Sequence, residues 1–229
     1  MGNRVIGSIK APIFGIDRLR MGTDGHGVTT LVCFMGCPLN CVYCLNDRCH
    51  EEVFESDGET PRRSIMMLTP QELYDRVKID NIYFQATGGG ICFGGGEPTL
   101  YADFIAQFRK LCGNSWKITI ETALHHCSFS TIEHLAPIID KWIVDVKDMD
   151  REIYRQYTGR QSHILQSLTC LEKLNLMDKV TVKVPLIPDY NTEENVNESI
   201  EKLKRRGFSH IETIRYIKRL SKYKPQNLE

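Results

Sequence analysis

The strongest constraint on this chain is an alternation. Six short stretches rich in β-branched residues are candidate strands: Thr29–Phe34, Gly90–Phe93, Lys117–Thr122, Lys141–Lys147, Lys179–Ile187 and His210–Ile217. Segments of helical periodicity separate them. Thr69-Pro70-Gln71-Glu72 reads as an N-cap with proline at the first helical position. Phe104, Ile105, Phe108, Leu111 and Cys112 recur at helical spacing, as do Ile164, Leu165, Leu168 and Leu171, and then Val196, Ile200 and Leu203. Gly113 and Gly207 stand where helix C-caps are expected. Strands separated by helices make parallel βα units in one continuous sheet. Six units are too few for the eightfold barrel. A partly open barrel and a doubly wound sheet both fit the pattern. The charged stretch Glu51–Arg63, with Gly58 and Pro61, reads as an exposed loop within one domain.

Composition excludes several function classes. The 29 basic side chains balance 29 acidic ones, so nothing favours nucleic-acid binding through bulk charge. Apolar residues make up 41% of the chain, but no apolar run approaches the roughly 18 residues of a membrane span. Arg4, Lys10, Asp17, Arg18 and Arg20 leave no room for a secretory leader in residues 1–20. Met1-Gly2 opens like a myristoylation site, but Ile6 stands where Ser or Thr is needed. A cytoplasmic location is expected. Arg215–Lys224, with Tyr216 and Tyr223, reads as a basic, solvated terminal face.

The nine cysteines are an odd number, so they cannot all pair within the chain. In a reducing compartment, closely spaced cysteines point to metal or redox chemistry. Five of the nine fall within residues 33–49, and Cys37, Cys41 and Cys44 form a C-x3-C-x2-C motif. The motif follows the strand Thr29–Phe34 directly. It therefore sits on a loop at a strand's C-terminal end, where βα folds place their ligands. Three thiolates so close together suit a soft metal or an iron–sulfur cluster. Structural zinc and ferredoxin clusters take four protein ligands, whereas three ligands on a four-iron cube leave one iron open. Cys33 lies within the strand pattern. Cys49-His50 is near enough in sequence to keep a zinc reading open.

A second signal runs from Thr87 to Thr99. Glycines bracket a short strand and end in Gly94-Gly95-Gly96-Glu97-Pro98. Alone, a glycine run marks a turn. Here glycine lets backbone come close to a ligand, and Glu97 offers a carboxylate to an ammonium group.

Together these motifs resemble the radical S-adenosylmethionine superfamily. The resemblance implies an open partial (β/α)6 barrel of parallel strands with outer helices, forming a single domain over residues 1–229. Its cluster loop would be residues 33–49 and its cofactor motif residues 87–99. It implies that Cys37, Cys41 and Cys44 hold one 4Fe–4S cluster. The open iron would take the amino and carboxylate groups of S-adenosylmethionine. Tyr43 would lie near the adenine. Gly94, Gly95, Gly96 and Glu97 match the family's GGEP motif, which binds the methionine amino group, with Gly94 where serine is common.

The segment Gly22-Thr-Asp-Gly-His-Gly27 ahead of the first motif is similar to that of glycyl-radical-enzyme activating enzymes of the pyruvate formate-lyase activating type. That places Asp24 near the bound substrate segment. Ile120-Glu121-Thr122 and Val144-Asp145-Val146-Lys147 match further family segments. They would put Glu121, Thr122 and Asp145 near a monovalent cation, and Lys147, counted with the catalytic residues, against the cofactor. Lys183 falls where the family often has a cofactor-contacting Arg; Lys keeps the charge and loses the bidentate fork. The resemblance spans about residues 5–224.

There are departures. Leu45-Asn46 replaces His-Asn after the third cysteine. Lys218 lies nearest to where the family has an adenosyl-contacting His. The ferredoxin-type insert is missing, with only Cys49 between the two motifs, so one cluster is expected. The implied activity is reductive cleavage of S-adenosylmethionine to a 5′-deoxyadenosyl radical, which takes hydrogen from a glycine of a partner glycyl-radical enzyme. The chain would act anaerobically as a monomer, with flavodoxin or ferredoxin as reductant. One alternative is radical modification of a ribosomal peptide or a small molecule. There, an epimerase could use Cys92, Cys127 or Cys170 as thiol donor. Otherwise the remaining cysteines, Cys49 included, are expected to be buried small apolar residues. A non-catalytic metal sensor or scaffold would have no use for Gly94–Glu97 or Asp145–Lys147.

Overall fold

The computed structural model describes residues 9–125 and 127–218. Their strands are β1 (Ala11–Met21), β2 (Val28–Phe34), β3 (Met66–Leu68), β4 (Gly90–Gly95), β5 (Lys117–Thr122), β6 (Lys141–Asp145), β7 (Val180–Leu186) and β8 (Ile211–Arg215). They form one sheet in the order β3-β1-β2-β4-β5-β6-β7-β8. From β2 to β8 every pairing is parallel, so all six expected strands are present, in an open sheet. The sheet is wider than expected. β1 pairs antiparallel with β2, and β3 antiparallel with β1. β1 escapes a pattern reading because Pro12, Gly15 and the charges Asp17, Arg18 and Arg20 break its alternation. Its register shifts between Ile13 and Gly15 and again between Asp17 and Arg20. Irregularity of this kind is tolerated near a sheet edge.

The helices are α1 (Pro70–Val77), α2 (Asn81–Thr87), α3 (Ala102–Cys112), α4 (Phe129–Leu135), α5 (Arg151–Thr158), α6 (Ile164–Lys173) and α7 (Glu193–Arg205). Thr69 caps α1 in a capping box with Glu72, and Gly113 ends α3, both as the sequence suggested. α5 has no long apolar stripe and buries only Tyr154, Tyr157 and Thr158. It is set by its ends: the Asp150 carboxylate accepts from Glu152 N and Ile153 N, and Gly159 closes it in the left-handed conformation.

Alternation along the strands sorts the side chains. Val32, Phe34, Ile91, Phe93, Ile118, Ile120, Trp142, Val144, Val182 and Val184 join the helices' Phe104, Phe108, Leu135 and Leu168 in the main core. The intervening positions carry Cys33, Cys92, Thr119, Glu121, Asp145 and Lys183. One face of the sheet is thus an apolar floor for helices, and the other mixes polar and charged side chains with a small apolar cluster of Leu31, Cys33 and Cys92.

Glu51–Arg63 is largely exposed, as expected, with a single bridge between Phe54 and Pro61. The solvated terminal face is corrected in part. Arg215, Ile217 and Lys218 are exposed, but Tyr216 is half-buried and turns into the molecule. Tyr223 and the rest of that tail, like Met1-Gly2, lie outside the described residues. Among the described residues no helix is long and apolar enough to cross a membrane.

Leu168 is fully enclosed on α6. Leu168→Ala is expected to cost about 2–5 kcal/mol through lost transfer energy and an incompletely collapsed cavity. Chemical denaturation measures this.

Candidate active site

β2 delivers the cysteine loop, and backbone hydrogen bonds pin it from several sides. α5 leaves its last carbonyls without helical partners. Two of them accept from the loop: Asn40 N donates to Thr158 O (2.9 Å) and Val42 N to Tyr157 O (3.1 Å). Arg160 Nε donates to Pro38 O at 3.0 Å. On the opposite side Gly96 N donates to Phe34 O (2.9 Å) and Glu97 N to Gly36 O (2.8 Å). A methyl group on Gly96 would collide with the Gly36 carbonyl, so this close approach requires glycine. The glycine motif and the cysteine motif are therefore one backbone unit.

Cys41 is buried, while Cys37 and Cys44 are half-buried. They share a pocket with Leu39, Tyr43, Tyr154, Tyr157 and Ile187. Burial pushes the Cys41 thiol up, against the opposing charge of Lys147. Cys44 goes the other way, down to about 5. The neighbouring Cys49 thiol lowers it most, and His50 and the Asn46 backbone add to this against the effect of burial. Cys49 is itself pushed far up by the neighbouring Cys37 and Cys44 sulfurs and by burial. Sequence reading treated Cys49 as a small apolar residue outside the cluster motif. It is buried, but it lies directly against two of the motif's sulfurs.

Glu97 is 1% exposed and fully engaged. Its Oε1 accepts from Thr99 N (3.1 Å), Thr99 Oγ1 (2.7 Å) and Thr122 Oγ1 (2.6 Å), and its Oε2 from Ala123 N (3.1 Å). Burial lifts its carboxyl above the usual range even though these donors pull it down. Beside it, at the end of β6, Lys147 Nζ donates to Asp145 Oδ2 and to Tyr216 Oη, the latter at 2.6 Å. Tyr216 Oη in turn donates to Asp145 Oδ2 at 2.7 Å. Burial would push Lys147 down, but Asp145, Tyr216 and Cys41 together hold it well above the usual range, so it stays cationic.

Tyr216 was missed in the sequence because the surrounding basic residues dominate its segment. Its signal would have been an aromatic one residue past a strand's C-terminal end. Tyr43 Oη donates to Asp189 Oδ2 (2.7 Å), whose Oδ1 accepts from Lys218 Nζ (2.7 Å). Asp189 thus links the two residues.

Other candidates are spread out. Glu121 accepts from Lys183 Nζ at 2.8 Å, Thr122 serves Glu97, and Asp145 serves Lys147. The three oxygen donors are committed to three different partners. Asp24 is buried and paired with Arg20, with its neighbour Gly25 packed on Thr119. Cys92 faces Cys33 and Leu31. Cys127 is half-buried, and burial with the nearby Glu97 pushes its thiol up.

The donor set fits an iron–sulfur cluster: three closely spaced thiols among apolar side chains, with the cationic Lys147 near Cys41. Asp145 Oδ1 and the Tyr157 hydroxyl are buried there with no partner among the described residues. Buried polar atoms of this kind call for a hydrogen-bonding guest.

Comparison with known proteins agrees with this chemistry. The model of the Radical SAM superfamily matches residues 31–203. The chain is 28% identical over 211 residues to the pyruvate formate-lyase-activating enzyme of Clostridium pasteurianum, covering 90% of this chain and 83% of that protein. It is 24% identical over 235 residues to the (2S)-3-sulfopropanediol dehydratase activating enzyme of Klebsiella oxytoca, covering 79% and 73%. The crystal structure of Streptococcus suis SuiB bound to S-adenosylmethionine shares the fold, with a TM-score of 0.58 and 18% identity over 84% of this chain. The chain spans only 41% of SuiB.

Gly96→Ala tests the backbone unit. It is expected to destabilise the chain by about 1–3 kcal/mol through overpacking. Thermal unfolding measures the loss.

Proposed function

The chain belongs to the radical SAM superfamily, and from that premise we propose that it activates a glycyl-radical enzyme. The observation that carries this reading is the backbone pairing of Gly96 and Glu97 with the cysteine loop. It makes one rigid unit of the thiols, the buried glutamate and, beside them, the Lys147–Asp145–Tyr216 group. The activating-enzyme relatives, at 24% and 28% identity, support the subtype.

In this reading Cys37, Cys41 and Cys44 hold one 4Fe–4S cluster, with S-adenosylmethionine beside it. The bound pair would supply one-electron cleavage of the carbon–sulfur bond, and the 5′-deoxyadenosyl radical would take a hydrogen from a partner's glycine. The remaining work belongs to the chain. Leu39, Tyr154, Tyr157 and Ile187 exclude water from the thiols. The Gly94–Glu97 turn receives the methionine amino group. Lys147, held cationic, offsets negative charge at Cys41 and at the cofactor's carboxylate. Tyr43, fixed through Asp189, borders the adenine, and Lys218 stabilises that contact from outside. Asp24 lines the approach of the substrate segment, and Lys183 contacts the cofactor. For Glu121, Thr122 and Asp145 to hold a monovalent cation, each would exchange its present partner. An open sheet, unlike a closed eightfold barrel, would let a protein loop approach from the side. Flavodoxin or ferredoxin would be the reductant, in the cytoplasm, with the chain acting as a single-domain monomer.

Anaerobically reconstituted protein is expected to hold about four irons per chain. With dithionite it should release 5′-deoxyadenosine from S-adenosylmethionine. Cys41→Ala should abolish both. Protein that takes up no iron and cleaves nothing would overturn the reading. A glycine-centred radical signal in the product of a neighbouring glycyl-radical-enzyme gene identifies the partner, whereas activity only on a short precursor peptide would replace the activase assignment.

Tyr216→Phe leaves the fold and the thiols in place. It should weaken S-adenosylmethionine binding by about tenfold, or ~1.4 kcal/mol. Equilibrium binding to the reconstituted protein measures it.

A further inference from the structure

Cys49 has no part in the reaction proposed above, yet it is more enclosed than Cys37, Cys41 or Cys44, at 2% exposed. A short 3₁₀ turn, Asp47–His50, puts it there. Cys49 N donates to Asn46 O (2.9 Å), and Cys49 O accepts from Gly36 N (2.8 Å), the residue just ahead of Cys37. Arg48 anchors the turn from outside, its guanidinium 5.4 Å from the centre of the Phe14 ring on β1. Backbone bonds and packing therefore fix the position of Cys49.

The consequence is a second donor set on the same loop. The sulfurs of Cys44 and Cys49 and a ring nitrogen of His50 all lie within 4.8 Å of one another. Cys37 is nearby on the same loop and acts electrostatically on Cys49, but its sulfur lies outside this group. Bond lengths of about 2.3 Å to sulfur and 2.0–2.1 Å to nitrogen put neighbouring ligands of a tetrahedral ion roughly 3.5–3.8 Å apart. That spacing needs only small side-chain adjustments here. A cubane cluster spreads its sulfur ligands wider, because each bonds a different iron. Cys41 is also outside the group and faces Lys147, whereas Cys37 borders Cys49. Three sulfurs and one imidazole are a borderline-soft set that suits zinc.

We propose that the iron-free chain binds one zinc-class divalent cation through Cys44, Cys49 and His50, with Cys37 as the fourth ligand. Cluster and cation are alternative occupants, since Cys37 and Cys44 belong to both sets. The cation site stands on its own geometry; only the exclusion rests on the cluster reading. The cation holds the loop's thiols as metal thiolates until iron replaces it.

The test uses the full chain, purified anaerobically without iron and titrated with Zn(II) against a chromophoric chelator. One equivalent should bind. Co(II) in its place should give thiolate charge-transfer and tetrahedral d–d absorption. Cys49→Ala should lose about 100-fold or more in Zn(II) affinity, at least the upper range for disturbed zinc sites, while still taking up about four irons. Cys41→Ala should do the reverse, keeping Zn(II) affinity and losing iron. Because Cys49 is buried, His50→Gln serves as a second variant and should also weaken Zn(II), with an unchanged melting temperature. Equal Zn(II) affinity in wild type, Cys49→Ala and His50→Gln would overturn the site. So would a loss in Cys41→Ala as large as in Cys49→Ala, which marks adventitious binding by the cluster cysteines. Zinc-loaded protein that assembles a cluster while keeping its zinc would overturn the exclusion. Failure of every form to take up iron would count against the cluster reading alone.

Discussion

Two backbone hydrogen bonds, from Gly96 to Phe34 and from Glu97 to Gly36, hold the site together. They join the ends of neighbouring parallel strands just past the point where the ladder stops. They form only because residue 96 has no side chain, since a Cβ there would occupy the space of the Gly36 carbonyl. Through them the cysteine loop inherits the rigidity of the sheet. The free carbonyls at the end of α5 supply the opposing hold. A loop carrying several thiols would otherwise be free to reshape around any metal it met.

The polar face of the sheet is organised by pairing. Arg20 with Asp24, Lys183 with Glu121 and Lys147 with Asp145 each place opposite charges together where water is scarce. Removing one partner of such a pair leaves a partly buried charge uncompensated, which is destabilising. These pairs are poor contributors to stability compared with apolar packing. The pairs of Glu121, Asp145 and Lys183 on the neighbouring strands β5, β6 and β7 mark a surface kept polar for a purpose other than folding.

How much was legible in the sequence follows from how local each signal is. The six parallel strands are short β-branched runs buried on a floor of helices, and each announced itself. β1 did not, because Pro12, Gly15 and its charges are tolerated only through bulged pairing with β2. α5 was equally silent: its role lies in its C-terminal carbonyls, which have no residue signature. The cysteine and glycine motifs were clear by spacing. Their mutual contact was not, since it depends on parallel register between β2 and β4. Tyr216 and Asp189 reach the site from segments whose composition points to solvent. Cys49 looked like a spare thiol because five residues of loop say nothing about which way a 3₁₀ turn will fold.

Tyr216 stands one residue beyond β8, the last strand of the sheet. Among the described residues β8 is paired on one side only, to β7. An outer strand has half the hydrogen-bonded neighbours of an inner one and is the cheapest to displace. The hydroxyl that grips Lys147 and Asp145 is thus carried by one of the least restrained strands of the sheet. The polarity around that lysine is thereby tied to how tightly the sheet's outer margin is drawn in, and anything that presses on β8 is felt at the charge in the centre.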